Sequence, residues 1–185
     1  MEKKGKCEKR ITIAFKQMVD NESEGELWRN IPLARAILDD LEQAISQGLE
    51  QIDGSDRELF CRRVLEDELL PFYDVPRLTL EIASYTDACQ ELKKKLEAYI
   101  DTKNVPMSRL ETMLGRHLKF DPVERTPEWE RCIYEVESEC DSRLKDEPRC
   151  MGFCFEYWST KTAVLAQKGI EWLSPSKMNP RVMFD

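Results

Sequence analysis

The sequence predicts an all-α protein, and three observations carry that prediction. First, Leu78, Ile82, Tyr85, Cys89, Leu92, Leu96 and Tyr99 stand alternately four and three residues apart, the rhythm of a helix that buries one stripe against another. Second, only seven of 185 residues are glycine, and proline stands mostly where segments end, so long helices meet few breaks. Third, no run alternates apolar and polar residues over a useful strand length, and no internal repeat or low-complexity tract interrupts the pattern.

The elements follow in order. A short amphipathic opening carries Ile11, Phe15 and Met18 and stops at the polar run Asp20-Asn21-Glu22-Ser23. The first long helix is expected from Pro32 to Ile52, with Leu33, Ile37, Leu41, Ile45, Leu49 and Ile52 on one face and Asp53-Gly54 as its stop. Ser55-Asp56-Arg57-Glu58 is a capping-box pattern, in which hydroxyl and carboxylate satisfy amides that a helix start leaves orphaned. The helix it opens runs to Leu70 and closes at Pro71. Pro76 then opens the heptad helix, expected to reach Asp101.

Asn104-Val105-Pro106 is the next break, followed by a shorter helix through Leu110, Met113, Leu114 and Leu118. Thr126-Pro127-Glu128 is a further start signal: a cap residue, a first-turn proline and an acid suited to the positive end of the helix dipole. Trp129, Ile133, Val136, Cys140 and Leu144 line the face it buries. Pro148 restarts the chain, and Met151, Cys154, Phe155, Trp158, Thr162 and Leu165 mark the last helix, with Gly169 at its C-terminal cap. The expected architecture is a bundle of about six mostly antiparallel helices with short connections, one domain over residues 1–185, with Val105 as the place where it would subdivide.

Beyond Gly169 the chain stays apolar almost to its last residue and carries Pro175 and Pro180, so this tail is expected to be non-helical. Chain ends are usually polar and frayed. A terminus this apolar must be covered by its own bundle or by another molecule. Trp172, Met178, Val182 and Phe184 are therefore the candidate interaction residues, with Phe184 and the terminal carboxylate as the anchor for a partner's groove.

Lys and Arg total 28 against 36 Asp and Glu, a formal charge of −8. A net anion repels phosphate backbones and anionic lipid, so neither nucleic acid nor a membrane is expected as a partner. The basic cluster Lys3, Lys4, Lys6, Lys9 and Arg10 reads as a solvated tail. No run approaches the ~18 apolar residues of a membrane span, and Ile11 to Phe15 is stopped by Lys16, so a cytoplasmic location is expected. Seven cysteines, odd in number and irregular in spacing, suit reduced thiols.

The densest chemical grouping is Cys132, Cys140, Cys150 and Cys154, four thiols on the last two helices. Four thiolates suit tetrahedral zinc, but such sites usually present tight C-x2-C pairs, and these positions also fall on apolar helical faces where a thiol packs as a small hydrophobe. His117 is the single histidine, and Leu114 precedes it at three residues, so no Glu-x-x-His ligand pair exists. The acidic pairs Asp39-x-x-Glu42 and Glu50-x-x-Asp53 lie on the polar side of one helix, as solvated faces do. No Gly-rich phosphate cradle, H-E-x-x-H or G-x-S-x-G appears.

The leading expectation is therefore a protein-interaction or self-associating helical module without catalysis and without a cofactor. The alternative is a thiol- or zinc-binding protein using the four C-terminal cysteines. A magnesium-dependent hydrolase built on carboxylates comes third.

Overall fold

The computed structural model describes residues 2–47 and 54–184, with side chains from Lys9 onward. The protein is all-α, with no strand among the described residues. The helices are α1 (Glu2–Ser23), α2 (Asn30–Ser46), α3 (Gly54–Glu66), α4 (Pro76–Ala83), α5 (Gln90–Ile100), α6 (Met107–Met113), α7 (Pro127–Leu144), α8 (Phe153–Gln167) and α9 (Pro175–Met178). The chain forms two compact units, residues 1–96 and 97–185, with the division inside α5.

In the first unit α1 packs on α2, and α3 on α4. The basic cluster is part of a helix and not a tail: α1 begins at Glu2, Lys9 is exposed, and Arg10 pairs with Asp40 of α2 at 2.6 Å. The side chains of Lys3, Lys4 and Lys6 lie outside the described residues. The helix α2 buries Ala34, Ile37, Leu38, Leu41 and Ala44, while Leu33 and Ile45 are only half-buried. Its contact face is thus turned toward the two alanines, which a pattern weighted by side-chain size overlooks. The expected positions Leu49, Ile52 and Asp53 lie outside the described residues.

The joints of this unit are closed by one buried amide. Asn30 Nδ2 donates to the carbonyls of Met18 (2.8 Å) and Leu69 (3.0 Å), and its Oδ1 accepts from Asn21 Nδ2 at 2.7 Å. The end of α1, the start of α2 and the exit of α3 are held there together, with each buried polar group partnered as burial demands.

The heptad helix expected from Pro76 to Asp101 is not continuous. It is α4 and α5, separated by Ser84–Cys89. Ser84 Oγ donates to Glu81 O (2.6 Å), Thr86 Oγ1 accepts from Ala88 N (3.0 Å), and Cys89 takes a left-handed φ of 57°. Ser and Thr side chains offer the backbone local partners that compete with the helical ladder, and here they win. Tyr85 leaves the stripe as a result: its hydroxyl donates to Glu42 of α2, and the Arg57 guanidinium lies 4.0 Å from its ring centroid. Tyr85 and Leu92 are half-buried, whereas Leu78, Ile82, Leu96 and Tyr99 are core residues.

In the second unit α7 forms as its start signal predicts. Thr126 Oγ1 accepts from Trp129 N at 3.3 Å, Pro127 occupies the first turn, and Trp129, Ile133, Val136, Cys140 and Leu144 are all buried. Along α7 from Glu137 back to Glu135, the partners advance from Lys161 of α8 to Lys168 at its C-cap, so the two helices run antiparallel.

The helix α8 buries a face turned from the expected one. Leu165 is inside as expected and Cys154, Trp158 and Thr162 are half-buried, but Lys161 and Val164 are inside too, while Phe155, and Met151 ahead of the helix, are exposed. The expected face was chosen for its apolar residues, and a lysine in the core stripe makes the true face look polar. Gly169 ends the helix at φ 77°, a conformation glycine adopts without strain. Ile170 N donates to Leu165 O and Gly169 N to Ala166 O, both at 3.0 Å, the paired bonds of a Schellman cap. That cap turns Ile170 into the core and sends the tail back along the bundle.

Candidate interaction surface

The tail is tied to the second unit by side chains. Asp121 Oδ2 accepts from Leu173 N (2.7 Å) while its Oδ1 accepts from Val123 N (3.0 Å). Glu124 Oε1 accepts from Trp172 Nε1 at 2.8 Å. Asn179 grips the backbone of Lys119 from both sides, its Oδ1 accepting from the amide and its Nδ2 donating to the carbonyl, each at 2.8 Å. Pro175–Met178 forms one helical turn, a small correction to a wholly non-helical tail.

These ties sort the four candidate interaction residues. Trp172 is a core residue, its ring centroid 6.1 Å from that of Trp129. Its indole N–H has a partner inside the fold, and it is not open to a second molecule. Met178 is half-buried, Val182 is exposed, and Phe184 lies edge-on to Trp158 with centroids 5.0 Å apart. The terminal carboxylate expected to help anchor a partner lies outside the described residues.

Beneath the tail lies a buried charge. Lys161 Nζ is 2.6 Å from Glu137 Oε1, with side chains 9% and 11% exposed. The ammonium stands 5.0 Å from the ring centroid of Trp129, 5.5 Å from that of Trp172 and 5.7 Å from that of Tyr157, within the range where a ring's quadrupole attracts a cation. Tyr157 donates its hydroxyl to the other oxygen of Glu137. Burial, followed by the Glu137 carboxylate, pushes the Tyr157 phenol far up, so it remains a donor. This group is a saturated internal clamp: ammonium, carboxylate and hydroxyl each have a partner in the fold.

The four C-terminal cysteines occupy different surroundings. Cys140 is wholly buried, Cys132 is half-buried with Sγ 3.4 Å from Trp129 O, Cys154 is half-buried and Cys150 is exposed. Burial pushes the Cys140 thiol up to about 11 and raises that of Cys132 as well, the reverse of what metal ligation or nucleophilic use needs. Among the described residues no three His, Cys, Asp or Glu are grouped as a metal ion requires, so these four thiols are not gathered into one centre. Of the acidic pairs, Asp39 is exposed and Glu42 is held by Tyr85, while Glu50 and Asp53 lie outside the described residues.

What the second unit leaves open is apolar. Met183 is 94% exposed, Met151 87%, Phe155 48% and Val182 43%. Phe155 meets Trp158 edge-on at 5.5 Å, and Trp158 meets Phe184 in the same way, so the start of α8 and the end of the tail join in one ladder of rings. The chain matches no family model, no curated protein and no solved structure. The site therefore rests on its own geometry.

Sequence reasoning found the tail half of this surface and missed the α8 half, because it assigned Met151 and Phe155 to the core. The signal that marks them is Lys161. Once a lysine is accepted on the buried face, Phe155, six residues before it, falls about 120° away around the helix.

Two clefts open among the described residues. One of about 470 Å³ runs beside the tail, lined by Thr162, Ala166, Ile170 and Trp172, and its Asp121 is already engaged by two amides. The other, about 250 Å³, lies between Phe15 and Ile11 of α1 and Leu59 and Phe60 of α3, with the Arg63 guanidinium 3.8 Å from the Phe15 ring centroid. Among the described residues no helix is long and apolar enough to cross a membrane.

Proposed function

We propose that this chain is a protein-binding module that carries out no reaction of its own, and that it binds through the surface formed by Met151, Phe155, Trp158, Val182, Met183 and Phe184. One observation carries the reading: a ladder of three rings joins the start of α8 to a tail that side-chain hydrogen bonds otherwise fasten to the bundle, and Met151, two residues before α8, and Met183, next to Phe184 in the chain, are 87% and 94% exposed. Leaving that much apolar surface in water favours association. Methionine, unbranched and polarisable, suits a surface that must adapt to the shape of a partner.

The reading is tested by placing a photo-cross-linking amino acid at position 151 or 183, and at the exposed Arg62 of α3 as a control. Cross-linking in cells is expected to give one discrete adduct from 151 and 183 and none from 62. Equal labelling from all three positions overturns it.

A further inference from the structure

We infer that the cleft of about 470 Å³ beside the tail is a binding site for a small organic ammonium, a primary amine carried on a compact apolar body. The cleft shares no residue with the surface proposed for protein binding, and its test is independent of that one. All of its lining lies in the second unit: Thr162 and Ala166 stand four residues apart on α8, Ile170 to Leu173 begin the tail, and Asp121 precedes the turn Pro122–Arg125. The volume falls within the roughly 300–1,000 Å³ of small-molecule sites.

Charge selects a cation. Asp121 and Glu171 are the ionisable side chains that line the cleft among the described residues. Asp121 is 9% exposed, yet its partners are two neutral amides, Val123 N and Leu173 N, and it forms no ion pair among the described residues. A buried carboxylate is ordinarily matched by a cation. Glu171 is exposed and has no cationic partner there either. Neighbouring cations are committed elsewhere or stand outside the lining. Lys161, 5.5 Å from the Trp172 ring centroid, pairs with Glu137, and Lys168 pairs with Glu135. Lys119, Arg125 and Lys177, from adjoining segments, do not line the cleft.

Hydrogen bonding selects a cation that carries N–H groups. The Thr162 hydroxyl donates to Trp158 O at 2.7 Å, and the Trp172 indole donates to Glu124 Oε1 at 2.8 Å. The other lining side chains are carboxylates and hydrocarbons, so every side-chain donor of the cleft is already used. Acceptors remain. A carboxylate oxygen can accept two hydrogen bonds, and each oxygen of Asp121 accepts one. An anion would meet two like charges and no side-chain donor. An ammonium meets charge-assisted acceptors beside the hydrocarbon of Ala166, Ile170 and Leu173.

The test titrates the full chain, isotope-labelled for heteronuclear NMR, with phenethylamine, its trimethylammonium analogue, phenylpropanol, hydrocinnamate and a capped peptide that displays one lysine between glycines. Phenethylamine is expected to move the amides of Thr162, Ala166 and Leu173 and the Trp172 indole N–H saturably, binding at least about tenfold more tightly than the alcohol or the carboxylate. The trimethylammonium analogue keeps the charge and lacks N–H, and should bind at least about threefold more weakly than the amine. Added salt should narrow the gap between amine and alcohol. Glu171→Gln should weaken the amine at least about threefold. Ala166→Phe, at an exposed position, should fill the cleft and remove binding, with melting temperature and circular dichroism confirming that each variant is folded.

Equal binding of amine, alcohol and carboxylate, preference for the carboxylate, or no saturable shift with any probe overturns the inference. So does a trimethylammonium analogue as tight as the amine, or amine binding that survives Ala166→Phe and therefore sits elsewhere. A lysine peptide that binds more tightly than phenethylamine makes a polypeptide side chain the ligand and overturns the small-molecule reading, whereas a weaker one supports it.

Discussion

Lys161 and Glu137 form an ion pair with Nζ 2.6 Å from Oε1, enclosed by the rings of Trp129, Tyr157 and Trp172. The pair joins α8 to α7, and Trp172 brings the tail onto the same ammonium. The tail's path over the hairpin, and with it the position of the exposed surface, depends on a charge that no apolar pattern would place in a core.

Removing one member should be far worse than removing both. Two charges in a poorly hydrated site repay their desolvation only through each other, and a lone survivor keeps the cost without the return. Lys161→Ala is expected to cost about 3–5 kcal/mol in urea unfolding, whereas Lys161→Met with Glu137→Leu should recover much of that loss. Simple additivity of the two single changes would show that the pair does not act as a unit.

Asn179 fastens the far end of the tail through its two bonds to Lys119. Asn179→Ala removes two part-buried hydrogen bonds to the Lys119 backbone, at an expected cost of about 0.5–1.5 kcal/mol each. The local consequence should be larger than the global one. Amide exchange at Met178 and Asn179, whose N–H groups bond within the single turn of α9, is expected to accelerate while α7 stays protected.

How much of this was legible in the sequence depends on which force fixed each element. The α7 start and its buried stripe were readable because cap, first-turn proline and spacing all agree, from Thr126 to Leu144. The Gly169 stop was readable for the same reason. The heptad helix was misread, because period alone cannot see that Ser84 and Thr86 prefer local bonds to a continued ladder. At the candidate surface, Val182 and Phe184 stood out as apolar residues on a chain end. Met151 and Phe155 did not, because Lys161 is buried only when Glu137 and three rings arrive from segments distant in sequence. That convergence is tertiary, and no local window contains it.

The buried thiols give a pH dependence with a definite sign. Burial raises the Cys140 thiol to about 11 and the Cys61 thiol to about 12, against an ordinary value of 9.0. In each case the folded value lies above the unfolded one. The stability they contribute is therefore complete below pH 9 and is lost as pH rises through about 11 to 12. Cys61→Ala and Cys140→Ala should each flatten the fall in stability above pH 9. Alkylation followed by mass spectrometry should label exposed Cys150 early, and Cys61 and Cys140 only when the chain opens. Early labelling of Cys140 would mean that α7 and α8 separate far more easily than their packing implies.

In the first unit the comparable joint is Asn30, which is fully buried and spends its amide on Met18 O, Leu69 O and Asn21. Asn30→Ala removes both donors and the acceptor at once. The carbonyls of Met18 and Leu69 lose the partner they share, Asn21 Nδ2 loses its acceptor, and a cavity opens where α1, α2 and the exit of α3 meet. An unsatisfied buried group costs about 1–3 kcal/mol, so several at one point should produce one of the most destabilising single changes in residues 1–96. Asn30→Asp is the sharper test, because it keeps the volume and the acceptors. A carboxylate facing two carbonyls repels them, so Asn30→Asp should be at least as damaging as Asn30→Ala despite filling the space. If chemical denaturation finds Asn30→Asp close to wild type, shape and not hydrogen bonding holds that joint.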